Sequence, residues 1–257
     1  MKTRVLAVPG TWDFAPGMLA GVTRHLNTQK YSVTWIDYPA TFALPTSYAE
    51  SKKRAIEKLS EEWARDTKAP IVLLGYSQGA EAVGDFALTV AGHPRLKAVA
   101  LVADPKRPHG LQIGTRHLHG HGICGERHIP HSRVFQAAIP GDVVCDAARG
   151  SLWRLTADLT PTASLDVPRW VVAMLRTVLR ADMQLMGDMG TVERLWGALS
   201  TVPELAGYLA GLHTSYGCRE CPGMGRSYLA ELAYRLNRFR RALTNPGGGL
   251  FIERKTG

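Results

Sequence analysis

A chain of 257 residues is long enough to bury one large α/β domain, and its apolar content of 45% is typical of a globular protein. The formal net charge of +9 would suit an acidic polymer or an anionic surface. However, the Lys and Arg residues are spread along the chain without interleaved aromatic residues or a binding motif, so we expect no nucleic-acid partner. No segment approaches the ~20 apolar residues that cross a bilayer, so no transmembrane segment is expected.

The first apolar segment, residues 5–8, leads into a turn rich in Gly and Pro with the sequence Pro9-Gly10-Thr11-Trp12. The segment is shorter than the apolar region of a signal peptide, so it predicts a first strand and no signal peptide is expected. In a parallel sheet, ligands gather at the carboxyl ends of the strands. Thr11 is therefore a candidate for supplying an amide to an oxyanion.

Helical and extended patterns alternate along the first half of the chain. The predicted strands cover residues 5–8, 31–37, 71–74, 97–103 and 133–139. The predicted helices cover residues 16–27, a segment opened by the capping box Ser47-x-x-Glu50, and residues 80–90. Strand and helix in regular alternation indicate a parallel sheet with helices on both faces.

The strand at residues 71–74 runs directly into Gly75-Tyr76-Ser77-Gln78-Gly79, a G-x-S-x-G sequence, and a helix follows at once. In this context the motif is typical of a nucleophilic serine on a sharp, strained turn. Gly75 and Gly79 lack the Cβ atoms that would collide with the flanking strand and helix. Ser77 is therefore the candidate nucleophile, and the amide of Gln78 is a second candidate for the oxyanion hole.

A nucleophilic serine needs an imidazole to take its proton, and the imidazole needs a carboxylate to orient it. In α/β-hydrolases these groups follow the chain order Ser, then Asp or Glu, then His. Eight of the nine histidines precede Asp142, so His213 is the predicted base. Asp142 follows a predicted strand in a Gly-Asp turn and is the preferred acid. Asp104 and Asp146 are the alternatives.

The spacing His117-x-His119-x-His121 is similar to that of a metal site, but no carboxylate or cysteine lies at ligand spacing from it. We therefore expect a polar surface loop, no metal and no other cofactor. The four cysteines allow three pairings, among which the sequence does not choose. They are Cys124, Cys145, Cys218 and Cys221.

The sequence changes character beyond Asp146. Residues 168–210 show mostly helical patterns and contain several Met residues. We predict a catalytic domain formed by residues 1–150 and 211–257, interrupted by a helical insertion at residues 151–210. The Met-rich apolar surface of the insertion would suit a lipid-facing cap, or would form the core of the insertion itself. A last amphipathic helix is expected over residues 227–243.

Two stretches, Gly75-Tyr76-Ser77-Gln78-Gly79-Ala80 and Gly141-Asp142-Val143-Val144-Cys145, resemble the signature sequences of cutinases and their relatives. Over nearly its full length the chain is similar to the lysin B proteins of mycobacteriophages. These proteins have the same motif order, a similar length and a helical domain inserted between the catalytic Asp and His. His213 lies where that family carries its catalytic histidine. Cutinases also carry a cysteine just before the Gly-Asp turn, where this chain has Ala138-Ile139-Pro140.

The resemblance implies an α/β-hydrolase fold of the cutinase type. It also implies a serine esterase that hydrolyses the ester joining mycolic acids to arabinogalactan in the mycobacterial envelope during phage lysis. Such a protein would be made in the host cytoplasm and would act at the host envelope after release, and we expect a monomer. The alternatives are a generic cutinase-like lipase or esterase, an acyltransferase using another acceptor, and a non-catalytic wall-binding module. The intact order of Ser, Asp and His argues against the binding module, because such a module needs none of the three residues.

Overall fold

The protein, described here by a computed structural model over residues 1–42, 45–151, 153–154 and 211–238, contains a five-stranded sheet. The strands are β1 (Thr3–Val8), β2 (Tyr31–Trp35), β3 (Ile71–Tyr76), β4 (Leu96–Val102) and β5 (Val134–Ala137). All neighbouring strands pair in parallel, in the spatial order β2-β1-β3-β4-β5. The carboxyl ends of β1, β3 and β5 therefore lie along one edge of the sheet. The predicted α/β-hydrolase class, a parallel sheet flanked by helices, is confirmed.

Successive strand residues alternate between two cores, one on each face of the sheet. Val5 and Ala7 of β1 contribute to the first core, whereas Leu6 and Val8 contribute to the second. The described helices are α1 (Ala20–Thr23), α2 (Tyr48–Arg65), α3 (Gln78–Val90) and α4 (Tyr228–Asn237). Helices α1 and α4 cover the first face, and α2 and α3 cover the second. β3 is buried along its whole length because helices cover both of its faces.

The first predicted helix is much shorter than expected, because only Ala20–Thr23 is α-helical. Gly17 has a φ of +40° and belongs to a turn before the helix, and Leu26 closes a turn with the carbonyl of Thr23. The apolar residues Leu19, Val22 and Leu26 are nevertheless buried. The periodicity therefore identified the buried face correctly, but hydrogen bonds of the i to i+3 type replace the α-helical ladder at both ends.

Two helices begin at serine caps, of which the cap at Ser47 was expected and the cap at Ser227 is a finding of the structure. The Ser47 hydroxyl accepts a hydrogen bond from the Glu50 amide at 3.3 Å, and Ser227 does the same for the Ala230 amide. The Glu50 carboxylate does not complete a reciprocal capping box, because it accepts a bond from Arg54 instead.

The predicted insertion at residues 151–210 and the end of the last predicted helix lie mostly or wholly outside the described residues. The division into a catalytic domain and an insertion therefore stays a prediction. Within the described ranges, no helix combines the length and the apolar character that crossing a bilayer requires.

Candidate active site

Ser77 lies at the junction of β3 and α3 in a backbone conformation that few residues other than glycine adopt. Its φ is +54° and its ψ is −122°. A Cβ atom on Gly75 would lie 2.5 Å from the Gly79 carbonyl oxygen, and one on Gly79 would lie 2.3 Å from the Val8 and Pro9 carbonyl oxygens. Only glycine at both positions lets the start of α3 approach the end of β3 and the end of β1 so closely.

His213 lies in a short 3₁₀ turn, Leu212–Thr214, that begins after Gly211. Its Nε2 atom is 3.0 Å from the Oγ atom of Ser77. The imidazole stacks on the ring of Tyr76 with 5.3 Å between the centroids, and the Tyr76 hydroxyl donates to the His213 carbonyl at 2.8 Å. The residue next to the serine in the G-x-S-x-G motif therefore also holds the histidine.

Asp142 follows β5 and is completely buried. Its two carboxylate oxygens each lie 3.1 Å from Nδ1 of His213. Among the described residues, three further groups donate to the carboxylate, namely the Val144 amide at 3.2 Å, the Tyr216 hydroxyl at 2.6 Å and the Cys145 thiol at 3.6 Å. Burial alone would raise the pKa of Asp142. The charge of His213 and the bonds from His213, Tyr216 and Val144 outweigh burial and hold the pKa below its usual value.

The structure thus brings together the three side chains that the sequence singled out. With its proton on Nδ1, the imidazole donates to Asp142 and presents the Nε2 lone pair to the hydroxyl of Ser77. His213 keeps 15% of its side-chain surface exposed, whereas Asp142 has none. The carboxylate is therefore shielded from water, while the hydroxyl and the imidazole face a site that a substrate can reach.

The Gln78 amide belongs to the first residue of α3 and has no intrahelical partner. The Gln78 side chain is buried and held on both sides, since Nε2 donates to the Thr41 carbonyl and Oε1 accepts from the Ser51 hydroxyl. Thr11 follows Gly10, where a Cβ atom would lie 3.2 Å from the Cβ of Ser77. Among the described residues, no acceptor is paired with the amide of Thr11 or of Gln78. Their role in an oxyanion hole stays a prediction.

The two alternative acids have other partners. The buried carboxylate of Asp104 accepts bonds from Arg127 at 2.7 Å and from Gln136 at 2.9 Å. Asp146 accepts from the amides of Gly120 at 2.8 Å and Gly141 at 3.0 Å, so it fixes the turn that carries Asp142.

All four cysteines are free thiols. Within the described part of the chain, no group of three or more His, Cys, Asp or Glu side chains is arranged to hold a metal ion. No disulfide holds the turn of Asp142. Arg107 holds it, and this side chain is fully buried. Its guanidinium donates to the carbonyls of Cys145 and Gly120, each at 2.6 Å.

Sequence reasoning did not identify Tyr216, Tyr76 or Arg107 as part of the site. Tyr216 was visible only as a neighbour of His213, and Tyr76 only as the variable residue before the serine. Arg107 looked like one more basic residue in a loop. None of the three carried a spacing signal, because each acts through a contact with a distant segment.

A family model described as Cutinase matches residues 6–175, which is more than half of the chain. Among curated protein sequences, none matches. The structure of lysin B from mycobacteriophage D29 is similar with a TM-score of 0.53 and 20% identity, covering 93% of this chain and 100% of that chain.

Two further solved structures are less similar. A cutinase-like protein from Cryptococcus sp. has a TM-score of 0.42 and 20% identity, covering 63% of this chain and 87% of that chain. The catalytic core domain of acetyl xylan esterase from Trichoderma reesei has a TM-score of 0.45 and 20% identity, covering 68% and 97%. The fold is that of lysin B, and the match of the family model shows that this chain belongs to the cutinase family.

Proposed function

We propose that the protein is a serine carboxylic-ester hydrolase in which Ser77, His213 and Asp142 form the catalytic triad. The observation that carries the proposal is the continuous chain of contacts from Ser77 Oγ to His213 Nε2 at 3.0 Å and from His213 Nδ1 to Asp142 at 3.1 Å. Membership of the cutinase family supports ester hydrolysis as the reaction.

In the proposed mechanism, Ser77 attacks the ester carbonyl while His213 takes the hydroxyl proton and then gives it to the leaving alcohol. Asp142 holds the imidazole in the productive tautomer. The amides of Gln78 and Thr11 stabilise the developing oxyanion, where one donor is worth ~3 kcal/mol. Water, activated by the same imidazole, then releases the acid from the acyl-enzyme.

We further propose that the substrate is the ester between mycolic acids and arabinogalactan, cut at the host envelope during phage lysis. Support comes from the resemblance of the chain to the lysin B proteins in motif order and length, and from a fold similarity that spans 93% of the chain. An exposed apolar surface on the β1–α1 loop also suits a long acyl chain. Trp12 is 54% exposed and Phe14 is 79% exposed.

The direct test is to measure the release of free mycolic acid from isolated mycobacterial envelope. The wild type should release free mycolic acid, and Ser77→Ala should lower the rate by a factor on the order of 10⁶, because removing a triad nucleophile costs about that much. Ser32→Ala, which changes an exposed serine on β2, is the matched control and should keep full activity.

The outcomes separate the alternatives. Hydrolysis of soluble short-chain esters without mycolate release would leave a generic cutinase-like esterase. Transfer of the acyl group to an added alcohol in preference to water would identify an acyltransferase. Binding to the envelope that is unchanged in Ser77→Ala and His213→Ala, with no hydrolysis of any ester, would reject the enzymatic proposal.

A further inference from the structure

Within the described part of the chain, the Asp142 carboxylate makes its shortest hydrogen bond with the hydroxyl of Tyr216. Tyr216 is fully buried, and its hydroxyl lies 2.6 Å from Oδ2 of Asp142. The same oxygen accepts a bond from the Ile139 amide at 3.2 Å. A phenol has a single proton to donate. Because an ionised carboxylate only accepts, that proton points at Asp142, while the Ile139 amide donates to the same phenol oxygen.

We propose that Tyr216 is a positioning residue for the triad, whose hydroxyl fixes the orientation of the Asp142 carboxylate and takes up part of its negative charge. The inference rests on the proposed esterase function and adds to it a fourth side chain that touches neither substrate nor serine.

The location of Tyr216 makes this role specific. It follows His213 on the same short loop, so one segment supplies both the imidazole and the phenol that bind the carboxylate. The phenol ring packs edge-on against Tyr76 and Tyr228, with centroid distances of 6.5 Å and 5.8 Å. Tyr76 in turn stacks on His213. The ring therefore has little freedom to move its hydroxyl away from Asp142.

Among the residues that the structure describes, three titratable side chains face Asp142, namely His213, Tyr216 and Cys145, whose Sγ atom is 3.6 Å from Oδ2. Arg107 and Asp146 bind the backbone of the turn that carries Asp142. Tyr76 and Ser77 contact the imidazole of His213. Burial and the charge of Asp142 raise the pKa of both Tyr216 and Cys145. The phenol and the thiol thus stay neutral while the enzyme works, and the phenol remains a donor.

Tyr216→Phe keeps the ring and removes the hydroxyl. We expect kcat for a soluble ester to fall by on the order of 10-fold, because a carboxylate without this bond orients the imidazole less well, with KM unchanged. The carboxylate then keeps more negative charge and holds the imidazole proton more tightly. The acid limb of the kcat/KM profile should therefore move to higher pH by about half a unit.

Tyr31→Phe is the matched control, because Tyr31 is another buried tyrosine whose hydroxyl donates to a carbonyl, that of Leu236 at 2.5 Å. It should lose a similar amount of stability and leave kcat and the acid limb unchanged. A Tyr216→Phe protein with the wild-type acid limb would overturn the inference, even if its stability and kcat fell.

A second measurement covers the case in which Tyr216→Phe does not fold. 3-Fluorotyrosine introduced at position 216 is a stronger donor, so the acid limb should move in the opposite direction, to lower pH. An unmoved limb in this protein would also overturn the inference. A wild-type protein that hydrolyses no ester would instead contradict the proposed function, so the two failures are distinguishable.

Discussion

Two members of the candidate triad, the nucleophile Ser77 and the acid Asp142, are held in place by different means. Ser77 owes its position to backbone packing, since the start of α3 approaches the end of β3 and the end of β1 so closely that Gly75 and Gly79 admit no Cβ atom. Asp142 owes its position to side-chain contacts, chiefly those of Arg107 and Tyr216 from other segments and of Asp146 from its own turn. No disulfide spans its turn, because all four cysteines are free.

This difference shows which parts of an active site can be predicted from a short stretch of sequence. A turn built from close backbone approach needs particular residues at fixed spacing, and that spacing is visible in the sequence. A turn built from long side chains needs partners that can come from anywhere along the chain. Each of the following substitutions tests one side of this contrast, beginning with the largest expected effect.

Gly79→Ala tests the backbone side. The added methyl group would meet the Val8 and Pro9 carbonyl oxygens at 2.3 Å, and neither can move without displacing β1. We expect a loss of at least about 3 kcal/mol of unfolding free energy, or no folded protein, measured by urea denaturation. Gly92→Ala is the control, because a Cβ atom there meets nothing within 4 Å. Equal stability of the two variants would contradict the steric account.

Arg107→Met tests the side-chain side. It would leave the buried carbonyls of Cys145 and Gly120 without their guanidinium donor and would remove the cation that lies 3.5 Å from the Asp146 carboxylate, at an expected cost of about 3–5 kcal/mol. Esterase activity per folded molecule should also fall, because the turn carrying Asp142 loosens. Arg95→Met removes bonds to the Ala69 and Trp63 carbonyls away from the site, so it should lower stability alone. Full specific activity in Arg107→Met would show that the turn carrying Asp142 keeps its conformation without Arg107.

The pH dependence of stability measures how strongly the site holds the Asp142 charge. The pKa of this carboxyl is below its usual value in the folded protein. Its stabilising contribution is therefore present above the unfolded pKa of about 3.9 and is lost as the pH falls through the folded pKa. In urea denaturation below pH 4, the unfolding free energy should fall less steeply in Asp142→Asn than in the wild type. Parallel curves would mean that the site does not favour the ionised form.

Phe14→Ser has the smallest expected effect on activity, since it changes an exposed side chain that belongs to neither the Ser77 turn nor the Asp142 turn. Stability should stay within about 0.5 kcal/mol of the wild type. If the loop contacts acyl chains, KM should rise several-fold for long-chain esters and remain unchanged for acetyl esters. Leu88→Ser, an exposed apolar residue near the C-terminal end of α3, should leave both KM values unchanged. An equal response of the two variants would remove the loop from the substrate site.

The amino-acid sequence was enough to predict the parallel α/β class, the order of the elements, the serine turn and the cap at Ser47. It also singled out His213 and Asp142 through chain order and turn position. These features depend on local periodicity, glycine placement and connectivity, all of which are written in consecutive residues. The short length of α1 escaped this reasoning, because its apolar spacing suits an α-helix and a series of tighter turns equally well.

Only the tertiary structure decided what surrounds the acid. The contacts of Tyr216 with Asp142, of Arg107 with the Asp142 turn, and of Arg127 with Asp104 join residues far apart in the chain. A buried polar side chain must find a partner, but the sequence does not state which one, because the partner is set by how the sheet and its loops pack. The same packing separates Asp142, bound to the imidazole, from Asp104 and Asp146, which serve the scaffold.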